Sequence, residues 1–481
     1  MNSASSFGLV VLIVGLTGSA AVLSNRLSER LRVPAPAFFL VGAAVAAQLW
    51  KSPFPVTTVR NAVTVALAII LFDGGMHIGW RRFRSAFGAI MWAGVAGTFV
   101  TAAMTALASH AIFGLSWRLS LLLGTAVAAT DPAVVFSVFG RREVAGRVGT
   151  LLEGESGAND PVGIALLGAL IGASGSAWSV AGHVAVEFIL QMAVGLVVGV
   201  LGGRGLLWFI RKVPLPSEGL YAPRVLAGML IIYGVAAVAH GSGFGAVFAA
   251  GIVIGDEPAP YKREIRRFHS SLASLAEIVA FVMLGLTVRL SSLGDGDAWA
   301  IGLGLAALIS FVIRPVFMGL ITLPIRLKRP ERVFFLWTGL KGAVPILLGT
   351  FILQSGVAGA SRAYEIIFVI VGFSVTFQGG LIPALAHRLR IRLRTVEVEP
   401  WALGVRLREE PEDVHRYHVA PGSPADGSTL GDLPYGEDVW VSLIVRDGSL
   451  VTAGQDTALQ AGDEVLVMGK PEHLDPLFST P

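Results

Sequence analysis

The sequence contains no cysteine and few charged residues. Charged side chains make up 15% of its 481 residues, whereas hydrophobic residues make up 54%. Because about a quarter of the residues of a soluble domain are charged, this composition excludes an ordinary soluble protein. The lack of cysteine excludes disulfides, thiol catalysis and cysteine-ligated zinc, and it leaves the redox compartment undetermined.

Long apolar segments recur from Phe7 to about His387. A segment of about 17–25 apolar residues is long enough to cross a hydrocarbon core of roughly 30 Å. The segments predict an all-α polytopic membrane protein with about 13 transmembrane helices. These are expected to begin near Phe7, Pro34, Val59, Ala86, Ser116, Gly149, Ala181, Ala222, Phe244, Leu272, Ala298, Val333 and Ala363. No basic residue precedes the first one, so we interpret it as an uncleaved span and not a signal peptide.

Basic residues fall mainly on one side of this predicted arrangement. The odd-numbered connections contain RRFR, RREVAGR and YKREIRRFH, among other basic runs. The connections on the opposite side contain only Lys51, Arg60, Arg118, Arg289 and Arg362. Because cytoplasmic loops are rich in Lys and Arg, this pattern predicts an outer N-terminus and a cytoplasmic C-terminus.

The composition changes near residue 394, which predicts a membrane domain over residues 1–393 and a second domain over residues 394–481. The segments DVWVSLIVRDG, SLVTAG and GDEVLVMGK alternate like strands, with a turn at Asp447-Gly448. The segment STLGDLPY predicts a short helix capped by Ser428 or Thr429. Together they predict a small cytoplasmic α+β domain.

Charged residues occur inside the predicted spans. Asp131, Asp160 and Arg314 each lie near the middle of a span. A charge at that depth costs at least ~2.5–3.5 kcal/mol, so it is usually paired or lines a functional cavity. We therefore expect these side chains to belong to a site within the membrane.

The chemistry of Asp160 suggests ion exchange. A carboxylate in a partly dehydrated cavity gains from neutralisation, either by a proton or by a hard monovalent cation. Because both occupy the same group, they compete, and a site open to alternate sides exchanges one for the other. Asn159 adds an amide dipole, and Thr130 and Ser156 are small oxygen ligands of the kind that cations accept. One carboxylate exchanging one proton for one cation predicts electroneutral transport.

Pro161 directly follows Asp160. A proline disfavours helical geometry in the preceding residue, so Asp160 is expected to leave the regular helix. The missing N–H of Pro161 also leaves the carbonyl of Gly157 without its helical donor. Glu155, five residues before Asp160, is the natural partner of Arg314 in a buried ion pair that joins two spans.

Two spans in opposite halves of the chain resemble each other. Both GTAVAATDPAVVFSVFG and WTGLKGAVPILLGTFIL have a proline and a charged residue, Asp131 or Lys341, at the middle. An interrupted helix in lipid is tolerated where its freed backbone faces protein, water or a ligand. Paired interrupted spans in the two halves of a transporter indicate inverted repeats and the binding site.

Two further intramembrane carboxylates are less informative. Asp73 lies near the cytoplasmic end of its span, where it either lines a funnel or interacts with a helix end. Glu277 lies in the cytoplasmic third of its span, and we expect it to reach the interface or pair locally and not to bind the substrate. Both remain secondary candidates for the ion path.

The motifs ATDP and GESGANDP resemble those of the NhaP-type bacterial branch of the monovalent cation:proton antiporters. FDGG at 72–75, FVMLGL at 281–286, the Arg-Pro pair at 314–315 and GLKGAVPI at 339–346 also match, in order. The resemblance covers about residues 7–390. It implies multi-pass insertion in the bacterial cytoplasmic (inner) membrane and contact with lipid, a homodimer, and no cofactor or nucleic-acid partner.

The resemblance also implies roles for individual residues. Asp160 would be the exchanging carboxylate and the position of the bound monovalent cation. Thr130, Glu155 and Ser156 would contribute to the ion site, and Glu155 would pair with Arg314. Asp131 and Lys341 would lie at the crossing of two unwound helices. The family more often has Arg where this chain has Lys341, which keeps the charge but not the forked geometry.

The tail resembles a TrkA C-terminal regulatory module, which implies either a small regulatory ligand or a role in folding or dimerisation alone. In combination with the membrane domain it favours exchange of K⁺ for H⁺, with Na⁺/H⁺ exchange as the alternative. A potassium channel gated by a TrkA-type domain is a second alternative, but no TVGYG-like filter is present. Two intramembrane aspartates also suggest an aspartyl protease, but the Gly-x-Gly-Asp pattern at 294–297 lies in a predicted connection and not at Asp131 or Asp160.

Overall fold

The computed structural model describes residues 34–49, 55–137, 139, 142–173, 177–288, 290, 297–395, 414–433, 440–446, 449–468 and 471–478. The first predicted span, Arg289 and the turn at Asp447-Gly448 lie outside these ranges. The chain divides into two compact units, Met1–Ala402 and Leu403–Pro481.

The first unit is almost entirely helical. Its helices are α1 (Ala35–Leu49), α2 (Val56–Met91), α3 (Gly97–Ala111), α4 (Trp117–Ala126), α5 (Pro132–Ser137), α6 (Arg147–Gly172), α7 (Ala177–Lys212), α8 (Tyr221–Val238), α9 (Gly243–Gly255), α10 (Lys262–Gly285), α11 (Ala298–Leu308), α12 (Arg329–Trp337), α13 (Ala343–Gln354), α14 (Ala360–Phe373) and α15 (Ile382–Arg388). Trp92–Ala96, Ile309–Met318 and Ser374–Gln378 are π-helical. Glu218–Leu220 is a 3₁₀ turn, and Gly319–Ile321 adds a last helical turn after Met318.

Within the described residues, six helical stretches are long and apolar enough to cross a membrane. They are Val56–Ala111, Trp178–Lys212, Glu218–Val238, Lys262–Gly285, Ala298–Ile321 and Ala360–Gln378. Three shorter apolar helices, Ala35–Gln48, Gly243–Gly255 and Ala343–Gln354, accompany them. The chain is therefore a multi-pass membrane protein with a mostly helical membrane unit.

The predicted connection RRFR is helical, which corrects the sequence-based boundary. The chain turns at Gly79, whose φ of 64° and ψ of 168° interrupt α2. Glycine adopts this conformation at little cost because it has no Cβ atom. The N–H of Arg81 then donates to Asp256 Oδ2 at 2.5 Å, so a side chain at the end of α9 caps the new helical segment.

The segment YKREIRRFH is also mostly helical and not a loop. Helix α10 begins at Lys262, well before the predicted start at Leu272. Its first turns are amphipathic, because Ile265 and His269 are buried whereas Arg263, Glu264 and Arg267 are exposed. Arg266 Nη2 donates to the Gly255 carbonyl at 2.5 Å, which ties these turns to the end of α9.

Helices α2 and α9 approach each other through glycine. A Cβ atom on Gly75 would lie 2.5 Å from the Phe248 carbonyl oxygen, and one on Gly251 would lie 2.3 Å from the Phe72 carbonyl oxygen. Small residues allow this backbone contact, which is a common way to pack helices in membranes. Asp73, two residues before Gly75, contacts α10, where Ser270 Oγ donates to its carboxylate.

A two-stranded antiparallel sheet joins distant parts of the membrane unit. Strand β1 (Arg142–Val144) pairs with β2 (Leu393–Thr395), with Glu143 opposite Arg394. Both strands lie in basic connections that the sequence assigns to the same side of the membrane. The pairing requires these two connections to lie on one side, as the charge pattern predicts.

The second unit is a small domain with a four-stranded antiparallel sheet in the order β3–β6–β4–β5. Its strands are β3 (Val414–His418), β4 (Trp440–Arg446), β5 (Ser449–Val451) and β6 (Glu464–Met468), and helix α16 (Pro471–Phe478) follows them. The three predicted strands are confirmed, whereas β3 and α16 were not predicted. Val441, Ile444, Val465, Val467 and Leu474 form part of its core.

The predicted helix in STLGDLPY is wrong for the described residues 428–433. The N–H groups of Leu430 and Gly431 donate to the carbonyls of Thr457 and Gln455, at 3.0 and 2.8 Å. Together with the antiparallel bridge between Thr429 and Ala458, these bonds hold the segment in a non-helical conformation against residues 455–458. Thr429 Oγ1 instead donates to Asp432 Oδ2 at 2.6 Å and holds a turn.

An ion pair between a partly exposed arginine and a buried aspartate stabilises the second unit. Arg446 donates to both carboxylate oxygens of Asp463, through Nε at 2.8 Å and Nη2 at 2.7 Å. These bonds hold the pKa of the Asp463 carboxyl below its ordinary value. Since the folded pKa is the lower one, the pair stabilises the fold above the pKa of the unfolded carboxyl, and that stability is lost as the pH falls through the folded pKa.

Neighbouring glycines in FDGG provide a test of the α2–α9 packing. Gly75→Ala places a methyl group against the Phe248 carbonyl, so we expect a loss of roughly 1–3 kcal/mol of stability from overpacking. Gly74→Ala meets no atom within 4 Å and is the matched control. Thermal melting of the purified protein in detergent, followed by size-exclusion chromatography, measures both. Equal melting temperatures for the two variants would contradict the close contact.

Candidate functional site

Two helices of the membrane unit are broken at the middle. Helix α4 ends at Ala126 and α5 begins at Pro132, while α12 ends at Trp337 and α13 begins at Ala343. Proline suits the first turn of a helix because its missing N–H is not needed there. Pro132 and Pro345 both lie in the first turn of the second half of their helix. The breaks leave residues 127–131 and 338–342 unwound.

The unwound segments cross and bond to each other. The N–H of Asp131 donates to the Leu340 carbonyl at 2.8 Å. The Lys341 ammonium donates to the carbonyls of Ala128 and Ala129, both at 3.2 Å. Backbone groups freed by one break are thus satisfied by the other break, as an apolar environment requires.

Charged side chains lie at the crossing with opposite signs. Lys341 is 1% exposed, and its positive charge lies against carbonyl oxygens of the first broken helix. The Asp131 carboxylate lies against Gly342, where a Cβ atom would be only 1.9 Å from Oδ2. Gly342 directly precedes α13, and the N-terminus of a helix favours a negative charge. Each broken helix therefore supplies a charge that stabilises the other.

Asp160 lies beside this crossing on α6. It is 6% exposed, and its Oδ1 has no hydrogen-bond partner among the described residues. Helix α6 continues through Pro161, so the expectation that Asp160 leaves the helix is wrong. Close packing of Gly157 against the Phe248 ring fixes the helix on this side and outweighs the local preference of the residue before proline.

Two polar side chains of α6, those of Asn159 and Ser156, bond to Thr130. Asn159 Nδ2 donates to Thr130 Oγ1 at 2.6 Å, and Asn159 Oδ1 accepts from the Thr130 N–H at 3.4 Å. Ser156 Oγ donates to the Thr130 carbonyl at 2.6 Å. These bonds fasten the unwound segment of α4 to α6, next to Asp160. The arrangement gathers neutral oxygen atoms around one carboxylate.

Glu155 and Arg314 form a buried ion pair. Arg314 Nη2 lies 3.0 Å from Glu155 Oε2, and both side chains are almost completely buried. Arg314 Nε also donates to the Leu336 carbonyl at 3.0 Å, at the end of α12. The guanidinium packs on Gly339, where any Cβ atom would collide with it. Arg314 therefore connects α6 to the second broken helix.

Asp73 lies away from this cluster and contacts other helices. Its Oδ1 accepts from Ser270 Oγ of α10 at 3.1 Å, and its Oδ2 lies 3.4 Å from His77 Nδ1. Half of the His77 side chain is exposed. The bond to Ser270 joins α2 to α10, and both expected roles of Asp73, a funnel lining and an interaction with a helix end, stay predictions.

Glu277 has one buried carboxylate oxygen. Its Oε1 is buried and has no hydrogen-bond partner among the described residues, whereas the residue as a whole is only partly buried. Its expected role, to reach the interface or to pair locally, stays a prediction. Glu277 projects from α10, a helix that contacts α13 and therefore one of the two broken helices.

The sequence reasoning missed a second group of buried polar residues. Ser310, Ser374 and Gln378 contact each other and the unwound segment 338–342. Polar side chains within apolar spans were the available signal, because such groups are costly in lipid unless paired. Ser310, Ser374 and Gln378 carry no charge, so an analysis based on intramembrane charges does not find them.

Comparison with known proteins places these features in a family. The family model "Sodium/hydrogen exchanger, transmembrane" matches residues 15–388. The chain belongs to the sodium/hydrogen exchanger family. The model of the TrkA-C domain matches residues 414–479, so this exchanger carries a TrkA-C domain that follows its membrane unit in the sequence.

Several relatives of this exchanger are similar over most of its length. The K(+)/H(+) antiporter NhaP2 of Shewanella sp. (strain ANA-3) is 32% identical over 98% of this chain and 83% of the relative. The K(+)/H(+) antiporter NhaP of Alkalimonas amylolytica is 31% identical over 97% and 82%. The Na(+)/H(+) antiporter NhaH of Halobacillus dabanensis is 28% identical over 68% and 82%.

The fold of this exchanger is similar to that of a solved structure. The sodium proton antiporter MjNhaP1 from Methanocaldococcus jannaschii, in its structure at pH 8, superimposes with a TM-score of 0.65 and 23% identity, over 79% of this chain and 99% of the other. An electron-microscopy structure of MjNhaP1 gives a TM-score of 0.67 and 22% identity, over 84% and 100%. The likeness shows a shared fold.

The Glu155–Arg314 pair gives a testable energetic prediction. Arg314→Met leaves a buried, unpaired Glu155, so we expect a loss of roughly 3–5 kcal/mol. The double variant Glu155→Met/Arg314→Met removes both charges and should recover a large part of that loss. Melting temperatures of the wild type, both single variants and the double variant measure the coupling. A double variant as unstable as the sum of the single ones would show that the two charges act independently.

Proposed function

We propose that this exchanger is a secondary antiporter that moves a monovalent cation in exchange for H⁺ across the membrane, without net charge transfer. The observation that carries the proposal is the Asp160 carboxylate, buried at the crossing, whose Oδ1 has no partner among the residues that the structure describes. A buried anion without a partner is unfavourable, and either a proton or a cation neutralises it. One carboxylate that accepts only one of them at a time exchanges one for the other.

The neighbouring groups would serve as ligands for a dehydrated cation. Hard cations prefer oxygen ligands, and the side-chain oxygens of Thr130, Ser156 and Asn159 lie together beside Asp160. The positive charge of Lys341 near the same site offsets the charge of Asp131. We propose that Glu155 and Arg314 position α6 against the second broken helix and contribute to the site through that position.

Alternating access follows from the two broken helices. We assign to the chain about thirteen transmembrane helices arranged as inverted repeats, in which α4–α5 and α12–α13 correspond to each other. In such folds, rocking or sliding of one part against the other opens a midplane site to each side in turn. The bonds between residues 127–131 and 338–342 support this assignment.

We propose K⁺ as the preferred cation. The two relatives named K(+)/H(+) antiporters match 97–98% of this chain, including the residues of the TrkA-C domain. The relative named a Na(+)/H(+) antiporter matches 68% of it. K⁺ and Na⁺ take the same oxygen ligands, so Na⁺ exchange by the same mechanism is the alternative.

The same reasoning extends to the location and assembly of the protein. We propose a homodimer in the bacterial inner membrane, with the N-terminus outside and the C-terminus in the cytoplasm. The residues 1–393 would carry out exchange, and residues 394–481 would regulate it by binding a small ligand. The basic connections on one side of the spans support this orientation.

Cation-induced proton movement in everted vesicles tests the proposal. We expect K⁺ to move protons in vesicles that contain the wild type, also after the membrane potential is collapsed. Asp160→Asn should fall to the background of vesicles without the protein, because an amide does not bind a proton or balance a cation. Asp297→Asn is the control, since Asp297 is exposed and pairs with Arg362 outside the site.

The outcomes separate the mechanism from the substrate. Activity with Na⁺ alone would keep the mechanism and overturn the choice of K⁺. Activity that disappears on collapse of the potential would contradict electroneutral exchange. Full activity of Asp160→Asn would show that the carboxylate is structural and that exchange occurs elsewhere.

A further inference from the structure

A polar cluster of Ser310, Ser374 and Gln378 packs against the second broken helix. It is separate from the ligand oxygens of Thr130, Ser156 and Asn159. Its centre is Gln378, the last residue of the π-helical segment Ser374–Gln378. Gln378 Oε1 accepts hydrogen bonds from Ser374 Oγ and Ser310 Oγ, both at 3.1 Å. Gln378 Nε2 donates to the Trp337 carbonyl at 2.6 Å. This buried amide therefore has partners on three different segments.

The cluster contacts both ends of the unwound segment 338–342. The Trp337 carbonyl, bound by Gln378, belongs to the last residue of α12. Ser374 Oγ accepts the backbone N–H of Lys341 at 2.9 Å, near the other end of the segment. The indole Nε1 of Trp337 also donates to the Gln378 carbonyl at 3.2 Å. Gln378 and Ser374 thus form a clamp on the break.

The clamp satisfies backbone groups that the break leaves open. Other groups of this segment are bound elsewhere: the Leu336 carbonyl by Arg314, the Thr338 carbonyl by the Leu340 N–H, and the Leu340 carbonyl by the Asp131 N–H. In an apolar interior every such group needs a partner. The side chains of Gln378 and Ser374 supply the partners for the Trp337 carbonyl and the Lys341 N–H.

The position of Lys341 connects the clamp to the cation site. Its ammonium lies on the carbonyls of Ala128 and Ala129, which immediately precede Thr130. Thr130 in turn is bonded to Asn159 and Ser156 beside Asp160. A shift of the Lys341 backbone would therefore move a positive charge and the chain that carries ligand oxygens.

We infer that Gln378 and Ser374 are positioning residues for cation exchange, which act by holding the unwound segment and hence Lys341 at the crossing. The inference rests on the proposed function of the site. Neither residue contacts Asp160 in the described hydrogen-bond network, so the action is indirect. Two π-helical segments, which are frequent near functional sites, supply the three side chains of the cluster.

Two serines that bond to the same oxygen provide a matched pair of variants. Ser374→Ala removes the acceptor of the Lys341 N–H and leaves that group buried without this partner. Ser310→Ala removes a bond of the same length to Gln378 Oε1 but leaves the Lys341 N–H bound. Both serines are buried, so the two substitutions have similar costs in packing. Ser374→Thr retains a hydroxyl and tests rescue.

The expected result is a change in apparent affinity. We expect Ser374→Ala to raise the apparent KM for the transported cation by about threefold to tenfold, the size of effect that one hydrogen bond gives. The maximal rate per folded protein should change less. Ser310→Ala should stay within about twofold of the wild type, and Ser374→Thr should lie closer to the wild type than Ser374→Ala does. A merely structural role would lower the amount of active protein and leave KM unchanged.

The experiment combines transport by proteoliposomes with amide hydrogen exchange of the full-length protein in detergent. Transport gives KM and maximal rate for K⁺ and Na⁺, normalised to folded protein. Hydrogen exchange of peptides that cover residues 336–343 should accelerate in Ser374→Ala but not in Ser310→Ala. This second readout does not depend on transport.

Each outcome supports or overturns the inference. A raised KM and faster exchange in Ser374→Ala alone would support it. An unchanged KM in Ser374→Ala, or equal changes in both serine variants, would overturn it while wild-type transport upholds the proposed function. A wild type that transports no cation would overturn the proposed function, and hydrogen exchange would then decide only whether the clamp holds the segment. If Ser374→Ala does not fold, Gln378→Met, which lacks the amide at a similar volume, is measured against Ser310→Ala with the same criteria.

Discussion

The bonds between the two unwound segments are the constraint on which the rest of the membrane unit depends. Breaking a helix inside lipid frees N–H and C=O groups that water cannot satisfy there. The two breaks resolve this together, because the Asp131 N–H binds the Leu340 carbonyl and the Lys341 ammonium binds carbonyls of the first break. The crossing in turn fixes Thr130 next to Asp160. The hydrogen bonds that satisfy the freed backbone groups are therefore also the bonds that set the geometry of the site.

The side chains around the crossing divide into two groups. The second broken helix is held at its break, where carbonyl and N–H groups are bound by Arg314, Ser374 and Gln378. Asn159 and Ser156 hold the first broken helix through Thr130. Asp160 directly follows Asn159 on α6, and one of its carboxylate oxygens has no partner within the described part of the chain. A carboxylate that lacks a hydrogen-bond partner on one oxygen, held among well-bonded neighbours, suits a site that binds two competing ions in turn.

Charge and proline in apolar spans were enough to predict most of this site. The sequence alone indicated Asp131, Asp160 and Arg314, because a charge in lipid requires an explanation. It could not indicate Gln378, since neutral polar residues in spans are common and their value depends on partners distant along the chain. Two predictions were wrong: that Asp160 leaves the helix before Pro161, and that STLGDLPY forms a helix. In both places tertiary contacts outweighed local preferences. Strand alternation predicted β4, β5 and β6 but missed β3.

Proton release on cation binding tests the central claim, that one proton and one cation compete for Asp160. Purified protein in weakly buffered detergent is titrated with K⁺, and then with Na⁺, while the pH is recorded. The account predicts release of about one proton for each bound cation in the wild type and in Asp297→Asn, and none in Asp160→Asn. Equal proton release by Asp160→Asn would contradict it, because the competing group would then be another residue.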